Sequence, residues 1–238
     1  MPDSKSTPRP ESSGFSEEMI QNCLEVMASG NIENLFEILP RIGVLRDKRF
    51  RQPLIDLLAQ KKDPKRREFA AYAMGSMGDH TFLGALKQVF LESCAAKSSG
   101  LQDLQIAVIE AIGVLGDDAA AEFFLPILTQ EERCKNMARM RKWIVESLGA
   151  IAQQGGSRSL EVLVHLLAHK DPDLRAQSLS EISVAFWHRP NEIGEGLLKN
   201  ICDLTRDRNP VVAESALAAL ESLADVGCRR AEEFFSDR

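Results

Sequence analysis

Apolar residues recur at intervals of three and four along almost the whole chain from Ser16 onward, with polar residues between them. The first such segment places Met19, Cys23, Val26 and Met27 at this spacing. That interval puts side chains on one face of an α-helix, whereas a half-buried strand needs strict alternation. No segment shows the alternation typical of a strand. The pattern therefore predicts an all-α protein.

Capping residues, prolines and glycines divide this region into consecutive helices joined by short turns. Longer breaks fall at 97–100 and around 188–191. Residues 1–14 are rich in Ser and Pro and have no apolar periodicity, so we expect a disordered N-terminal tail and one repeat domain over 15–238. The predicted helices span 16–29, 31–45, 48–60, 64–77, 80–94, 101–115, 118–130, 134–154, 157–169, 172–187, 191–205, 210–226 and 228–235.

The chain repeats one unit. Residues 42–47 read IGVLRD and residues 112–117 read IGVLGD, with five identities in six positions, and residues 74–79 read MGSMGD. The first Gly of this motif defines a slot at positions 43, 75, 113, 149, 183 and 221, in steps of 32, 38, 36, 34 and 38 residues. A helix pair of this length cannot bury both faces alone, so neighbouring pairs must stack. The sequence predicts a curved α-solenoid of six units.

The best preserved unit is the segment 53–79, and its landmarks mark where helices begin. Asp63 precedes Pro64, and the same slot holds Asn31, Asp171 and Asn209 in other units. Such side chains accept hydrogen bonds from the first turn of a helix, and Pro is tolerated at the first helical position. Pro172 and Pro210 repeat the arrangement.

This unit resembles a HEAT repeat, particularly the short variety first associated with bilin lyases. The resemblance is carried by Asp63-Pro64, by Arg67 and by the pattern A-x-x-M-G-x-M-G-D that ends at Asp79. It extends over about residues 16–236. It implies a right-handed superhelix of about six stacked antiparallel helix pairs. It says little about activity, because the family includes scaffolds, transport adaptors, lyase subunits and a few enzymes.

In the family, an Asp and an Arg stack from repeat to repeat as a ladder, and here that ladder is incomplete. The resemblance predicts irregular stacking in the third and fourth units. The Arg slot holds Leu35, Arg67, Gln105, Arg141, Arg175 and Ala213, and the Asp slot holds Asn31, Asp63, Leu101, Met137, Asp171 and Asn209.

Charge and composition restrict the classes of partner. The chain has 29 Lys and Arg residues against 35 Asp and Glu residues, a net charge of −6, which argues against a general nucleic-acid binder. No apolar run approaches the ~20 residues that span a bilayer. The N-terminus lacks the apolar core of a secretory signal, so we expect a cytoplasmic protein. The five scattered cysteines, with no C-x-x-C, predict reduced thiols rather than a disulfide or zinc framework.

The candidate contact residues lie on the second helix of each pair, which usually lines the concave surface of such solenoids. Positions facing away from the apolar seam place aromatic residues beside charges, a combination that interface hot spots favour. A register shift of one residue would instead turn Phe69 and Trp143 into the core. The proposed partner-binding residues are Phe69, Tyr72, Glu110, Arg139, Trp143 and Glu146.

Two basic clusters leave a phosphate-binding surface open as an alternative, provided that they converge. A solvated face balanced by acids is the simpler interpretation. The first cluster comprises Lys61, Lys62, Lys65, Arg66 and Arg67, and the second comprises Arg133, Lys135, Arg139, Arg141 and Lys142.

Signatures of catalysis are weak. His165 and His169 share a helix face, but no carboxylate completes a metal motif, and the His-Glu pairs of a HEAT-type di-iron hydroxylase are missing. Glu110 and Glu146, on neighbouring repeats, could serve acid–base chemistry or form a simple acidic strip. We therefore expect a non-enzymatic scaffold or adaptor for a protein or peptide, without metal, cofactor or membrane. The alternatives are a lyase or modification-enzyme subunit that cradles a cofactor or substrate protein, and a nucleic-acid-binding solenoid.

Overall fold

The computed structural model describes residues 12–29, 31–96, 99–116, 118–129 and 137–236. Within these ranges the chain forms α-helices and short 3-10 turns and contains no strand, so the all-α prediction is confirmed. The helices are α1 (Ser12–Ser29), α2 (Ile32–Leu45), α3 (Arg51–Leu58), α4 (Pro64–Met77), α5 (Leu83–Ala95), α6 (Gln102–Leu115), α7 (Asp118–Thr129), α8 (Met137–Gln153), α9 (Ser157–Leu166), α10 (Pro172–Ala185), α11 (Glu195–Leu204), α12 (Pro210–Asp225) and α13 (Arg229–Ser236).

Every predicted helix has a counterpart, with differences of a few residues at the ends. Helix α1 begins at Ser12, so residues 12–14 of the predicted tail are helical, and the rest of that tail lies outside the described residues. The segments 48–50 and 80–82 form 3-10 turns ahead of α3 and α5. Asp47 and Asp79 cap these turns by accepting backbone N–H bonds, which explains the tighter geometry at both places.

The chain divides into two compact units, Met1–Gly78 and Asp79–Arg238. In the first unit α1 packs on α2, and α4 packs on both α2 and α3. In the second unit the antiparallel pairs are α5/α6, α7/α8, α9/α10 and α11/α12, with α13 against α12. The second helices of these pairs, α6, α8, α10 and α12, pack successively on one another. The second unit therefore has the layered order of a helical repeat.

The predicted helix starts are confirmed by their caps. Asp63 accepts a hydrogen bond from the N–H of Arg66, and Pro64 is the first residue of α4. The other capping side chains accept from the N–H groups two residues further on. These caps are Asn31, Asp171 and Asn209, bonded to the N–H groups of Glu33, Asp173 and Val211 at 3.0, 3.0 and 3.0 Å.

The repeated Gly slot lets successive second helices approach closely. A Cβ atom added to Gly113 of α6 would lie 2.8 Å from the Cβ of Ser147 on α8. In the first unit the equivalent distance, from Gly43 to the Cβ of Ser76, is 3.2 Å. Gly149 repeats the arrangement on α8, where an added Cβ would collide with the carboxylate of Glu181 on α10. The slot is therefore a packing requirement inside the helix.

Two Arg–Asp pairs of the predicted ladder are present in the second unit. Arg141 Nη1 lies 3.0 Å from Asp171 Oδ2, and Arg175 binds both carboxylate oxygens of Asp207, at 3.0 and 3.1 Å. Asn209, which occupies the aligned Asp slot, is not the acceptor for Arg175. Its side chain caps α12, and its N–H donates to Asp207, which holds that carboxylate toward α10.

Candidate partner-binding groove

Helices α6 and α8 of the second unit enclose an open groove of about 290 Å³. Three of the predicted contact residues, Glu110, Trp143 and Glu146, line this groove together. The remaining lining residues are Gly113, Val114, Ser147 and Ala150. The structure thus brings these positions of neighbouring repeats together on α6 and α8, and partner binding there is a proposal.

The floor of the groove is rigid because small residues bring the two helices together. Gly113 faces Ser147, and the Ser147 hydroxyl donates to the carbonyl oxygen of Ile109 at 3.1 Å. One repeat further on, Gln177 Nε2 of α10 donates to the carbonyl oxygen of Lys142 at 2.8 Å. Bonds from one second helix to the backbone of the previous one fix the spacing of the groove walls.

The groove walls combine an aromatic ring, a charge and an apolar side chain. Trp143 is half-buried, and the ammonium of Lys142 lies 5.9 Å from the centroid of its ring. The same ammonium lies 3.6 Å from Glu146. Val114, on the opposite wall, is 58% exposed although it is a large aliphatic residue. The arrangement can therefore receive an apolar side chain and a cation side by side.

An apolar row runs across the second helices at the position directly after the Gly slot. Val114, Ala150 and Val184 occupy this position on α6, α8 and α10. Val184 is 38% exposed, and Ala150 is half-buried. The row therefore continues the apolar lining of the groove from α6 to α10.

A carboxylate row accompanies the apolar row one helical turn earlier. Glu110 and Glu146 lie four residues before Val114 and Ala150, and Glu181 lies three residues before Val184, so each pair shares a helix face. Burial, and next the charge of Glu146, raise the pKa of Glu181 from its ordinary value of 4.5 to about 7. The shift shows that Glu146 and Glu181 are close enough to repel each other.

Two other predicted contact residues, Arg139 and Tyr72, are not among the residues that line the groove. Arg139 is exposed on α8, and its Nη1 donates to Gln102 Oε1 of α6 at 3.0 Å. Tyr72 is partly exposed on α4 of the first unit.

The prediction that Phe69 faces a partner is wrong. Its side chain is completely buried and meets the ring of Phe36 edge-to-face, with centroids 5.8 Å apart. Because α4 packs against both α2 and α3, its buried arc is wider than one apolar stripe and includes the position assigned to the outer face. The register shift considered from the sequence applies to this residue.

Both basic clusters are engaged in contacts within their own unit. In the first unit Arg67 is buried and donates from Nε to the carbonyl oxygen of Leu58 at 2.8 Å. Lys65 and Arg66 pair with Glu68 and Asp63, at 2.8 and 3.1 Å. In the second unit Arg141 and Lys142 pair with Asp171 and Glu146. Arg133 and Lys135 lie outside the described residues.

His165 lies on α9, whereas His169 follows the end of that helix, so the two histidines do not share a helix as predicted, and His169 has a local structural role. His169 Nδ1 accepts the N–H of Asp171 at 3.1 Å, and its carbonyl oxygen accepts from Arg175 Nη1 at 2.8 Å. Among the described residues, no group of three His, Cys, Asp or Glu side chains is placed to hold a metal ion.

None of the described helices combines the length and the apolar character needed to cross a membrane.

Sequence reasoning missed Val114, Ser147 and Glu181. Val114 belongs to the repeated IGVL motif, and its position directly after a close-packing Gly turns it outward. An exposed Val in the same place in the first unit, Val44 at 81%, carries the same signal. Glu181 could have been found by asking which residue packs on Gly149.

Residues 94–183 match the family model described as HEAT repeats. Among solved structures, the chain is similar to human deoxyhypusine hydroxylase in complex with glycerol, with 18% identity, 82% of this chain and 81% of that chain covered, and a TM-score of 0.42. An engineered protein is similar at 18% identity, with 91% and 94% covered and a TM-score of 0.36. No curated protein matches the sequence. The resemblance to HEAT repeats is confirmed over residues 94–183, which contain the whole α6–α8 groove.

Proposed function

We propose that the chain is a non-enzymatic helical-repeat protein that binds a protein or peptide partner in the α6–α8 groove. The observation that carries the proposal is the exposure of Val114 beside the half-buried ring of Trp143. Exposed aliphatic and aromatic side chains on a rigid surface are typical of interaction sites, and Trp is enriched among interface hot spots. Tyr72 and Arg139 are proposed as additional contacts on the second helices.

The size of the groove favours side chains of a polypeptide over a whole small molecule. Its volume of about 290 Å³ falls at the lower edge of the ~300–1,000 Å³ typical of small-molecule sites, and it is open to solvent. A volume of this size accommodates one or two side chains. Contacts along the neighbouring second helices would supply the rest of the binding surface.

A displayed random-peptide library, selected on the wild-type chain, tests the proposal. We expect selected peptides to bind the Trp143→Ala variant about tenfold more weakly or worse, because a hot-spot aromatic contributes about 1.4 kcal/mol or more. Titration by fluorescence anisotropy of the labelled peptide measures the affinity, and circular dichroism verifies that helicity is retained.

The matched control is Leu91→Ala, which removes a 46% exposed apolar side chain from α5, a first helix of the same unit. Its affinity should equal that of the wild type. Peptides that bind Trp143→Ala as tightly as the wild type would show that the groove is not the binding site.

A further inference from the structure

We infer that the partner segment is an extended, basic polypeptide that places a Lys or Arg at about every third residue, one against each of α6, α8 and α10, with apolar residues between. This inference rests on the proposed function and specifies the chemistry of the partner. Three observations support it: the charge of the surface, the position of the Lys142 ammonium in the groove, and the spacing of the second helices.

Acidic side chains predominate on the described part of this face. The basic residues beside them are Arg139 and Lys142, both on α8. Each of the two already has a contact within the unit. A basic segment is therefore the electrostatically complementary partner, whereas an acidic segment or a nucleic acid would be repelled. The acidic residues at these positions are Asp103, Glu110, Glu146, Asp173 and Glu181.

The chain itself shows how the groove holds a cation. The ammonium of Lys142 lies near the face of Trp143 and 3.6 Å from Glu146, a distance too long for a strong ion pair. The Lys142 side chain is also 66% exposed, so it keeps most of its hydration. An incoming Lys or Arg can take the position between the ring and the carboxylates while Lys142 turns into solvent. The apolar part of such a side chain would then lie on Val114.

The spacing of the helices sets the spacing of the basic residues. Packed helices lie about 8–10 Å apart, and the close contact of Gly113 with Ser147 makes the α6–α8 junction tight. An extended chain in the polyproline II conformation has three residues per turn and advances about 3.1 Å per residue, so every third side chain faces the surface and lies roughly one helix spacing further on. A segment that crosses α6, α8 and α10 therefore presents a basic residue to Glu110, Glu146 and Glu181 in turn. The residues between meet the apolar row at Val114, Ala150 and Val184.

The test uses the full chain with Trp187→Phe, which leaves Trp143 as its single tryptophan because the sequence contains two. Synthetic peptides of about twelve residues, enough to cross three helices at ~3.1 Å per residue, carry Lys at every third position with Leu and Ser between. Matched peptides replace each Lys by Asp, replace each Lys by Ser, or gather the same lysines into one block. The fluorescence of Trp143 reports binding.

We expect the regularly spaced Lys peptide to bind at least tenfold more tightly than the other three. We also expect the Glu110→Gln/Glu146→Gln variant to bind it about tenfold more weakly. Glu122→Gln, which neutralises an exposed carboxylate on α7, is the control and should leave the affinity unchanged.

Equal binding of the Ser or Asp peptide, with weaker binding to Trp143→Ala when the anisotropy of the labelled peptide is measured, would overturn the basic partner while leaving the groove as the binding site. Equal binding of the block peptide would overturn the proposed spacing. If none of the four peptides changes the fluorescence of Trp143, the inference is wrong, and the library selection decides separately whether the groove binds peptides.

Discussion

The α6–α8 junction differs from the two junctions that follow it, α8–α10 and α10–α12. At the later junctions an Arg of one second helix binds an Asp in the turn before the next, through Arg141–Asp171 and Arg175–Asp207. At the α6–α8 junction the same slot holds Gln105, and there the groove is found. The regular ladder thus serves stability, while the repeat that departs from it carries the candidate binding surface.

Replacing Arg175 should produce the largest effect, because it breaks the ladder. Its side chain and that of Asp207 are only 15% and 13% exposed, and the Arg175→Met variant leaves the carboxylate without its guanidinium. Removing one partner of a well-buried pair costs about 3–5 kcal/mol, so the residual exposure here suggests about 2–3 kcal/mol. Hydrogen exchange of α10 and α12 amides, together with urea unfolding, measures the loss in the free energy of unfolding.

The control for this change is Arg158→Met. Arg158 pairs with Glu161 at 2.6 Å, but the two side chains are 45% and 63% exposed, so we expect a much smaller loss of stability than for Arg175→Met. A similar loss for both variants would mean that the Arg–Asp ladder contributes no more than a surface ion pair.

The sequence predicted most of the fold because local rules decide it. Asp63 and Pro64 mark a helix start by capping chemistry alone, and α4 indeed spans the predicted 64–77. Tertiary packing decided what failed. Phe69 is buried because two neighbouring helices cover α4. Alignment of the repeats was enough to place Trp143 and Glu146 on the same face. The position of Glu181 depends instead on the space that Gly149 leaves by having no side chain.

Glu181 lies on α10, which carries a ladder arginine, and belongs to the carboxylate row that begins in the groove. Its raised pKa predicts that stability depends on pH. Its folded pKa of about 7 exceeds the ordinary 4.5, so the folded state holds the proton more tightly than the unfolded chain. The free energy of unfolding should therefore decrease as pH rises from about 4.5 through 7, and stay low above that range. Glu181→Gln should remove this decrease and stabilise the chain at about pH 8 by roughly 1 kcal/mol, after allowance for partial exposure.

Urea unfolding across this pH range measures the effect of Glu181→Gln. Glu122→Gln is again the matched control, since its exposed carboxylate should change the profile by a few tenths of a kcal/mol at most. If Glu181→Gln keeps the pH dependence of the wild type, Glu181 is not the group whose pKa is raised by burial and by the charge of Glu146.

We expect the smallest change in the free energy of unfolding at Gln105. Replacing this residue tests whether the slot of Gln105 contributes to stability as the equivalent slot of Arg175 does. Gln105 is 3% exposed, its Nε2 lies 3.9 Å from Cys94 Sγ, and its Oε1 has no hydrogen-bond partner among the described residues. Burying an unpaired amide oxygen costs free energy, so Gln105→Met, an apolar residue of similar length, should be neutral or stabilise the chain by up to about 1 kcal/mol. The same substitution at Arg175 should destabilise it. If urea unfolding shows that Gln105→Met loses as much stability as Arg175→Met, Gln105 supports its junction as the ladder arginines do. The slot at the α6–α8 junction would then contribute as much to stability as the slots at the later junctions. The distinction between a stabilising and a binding part of the repeat would be wrong.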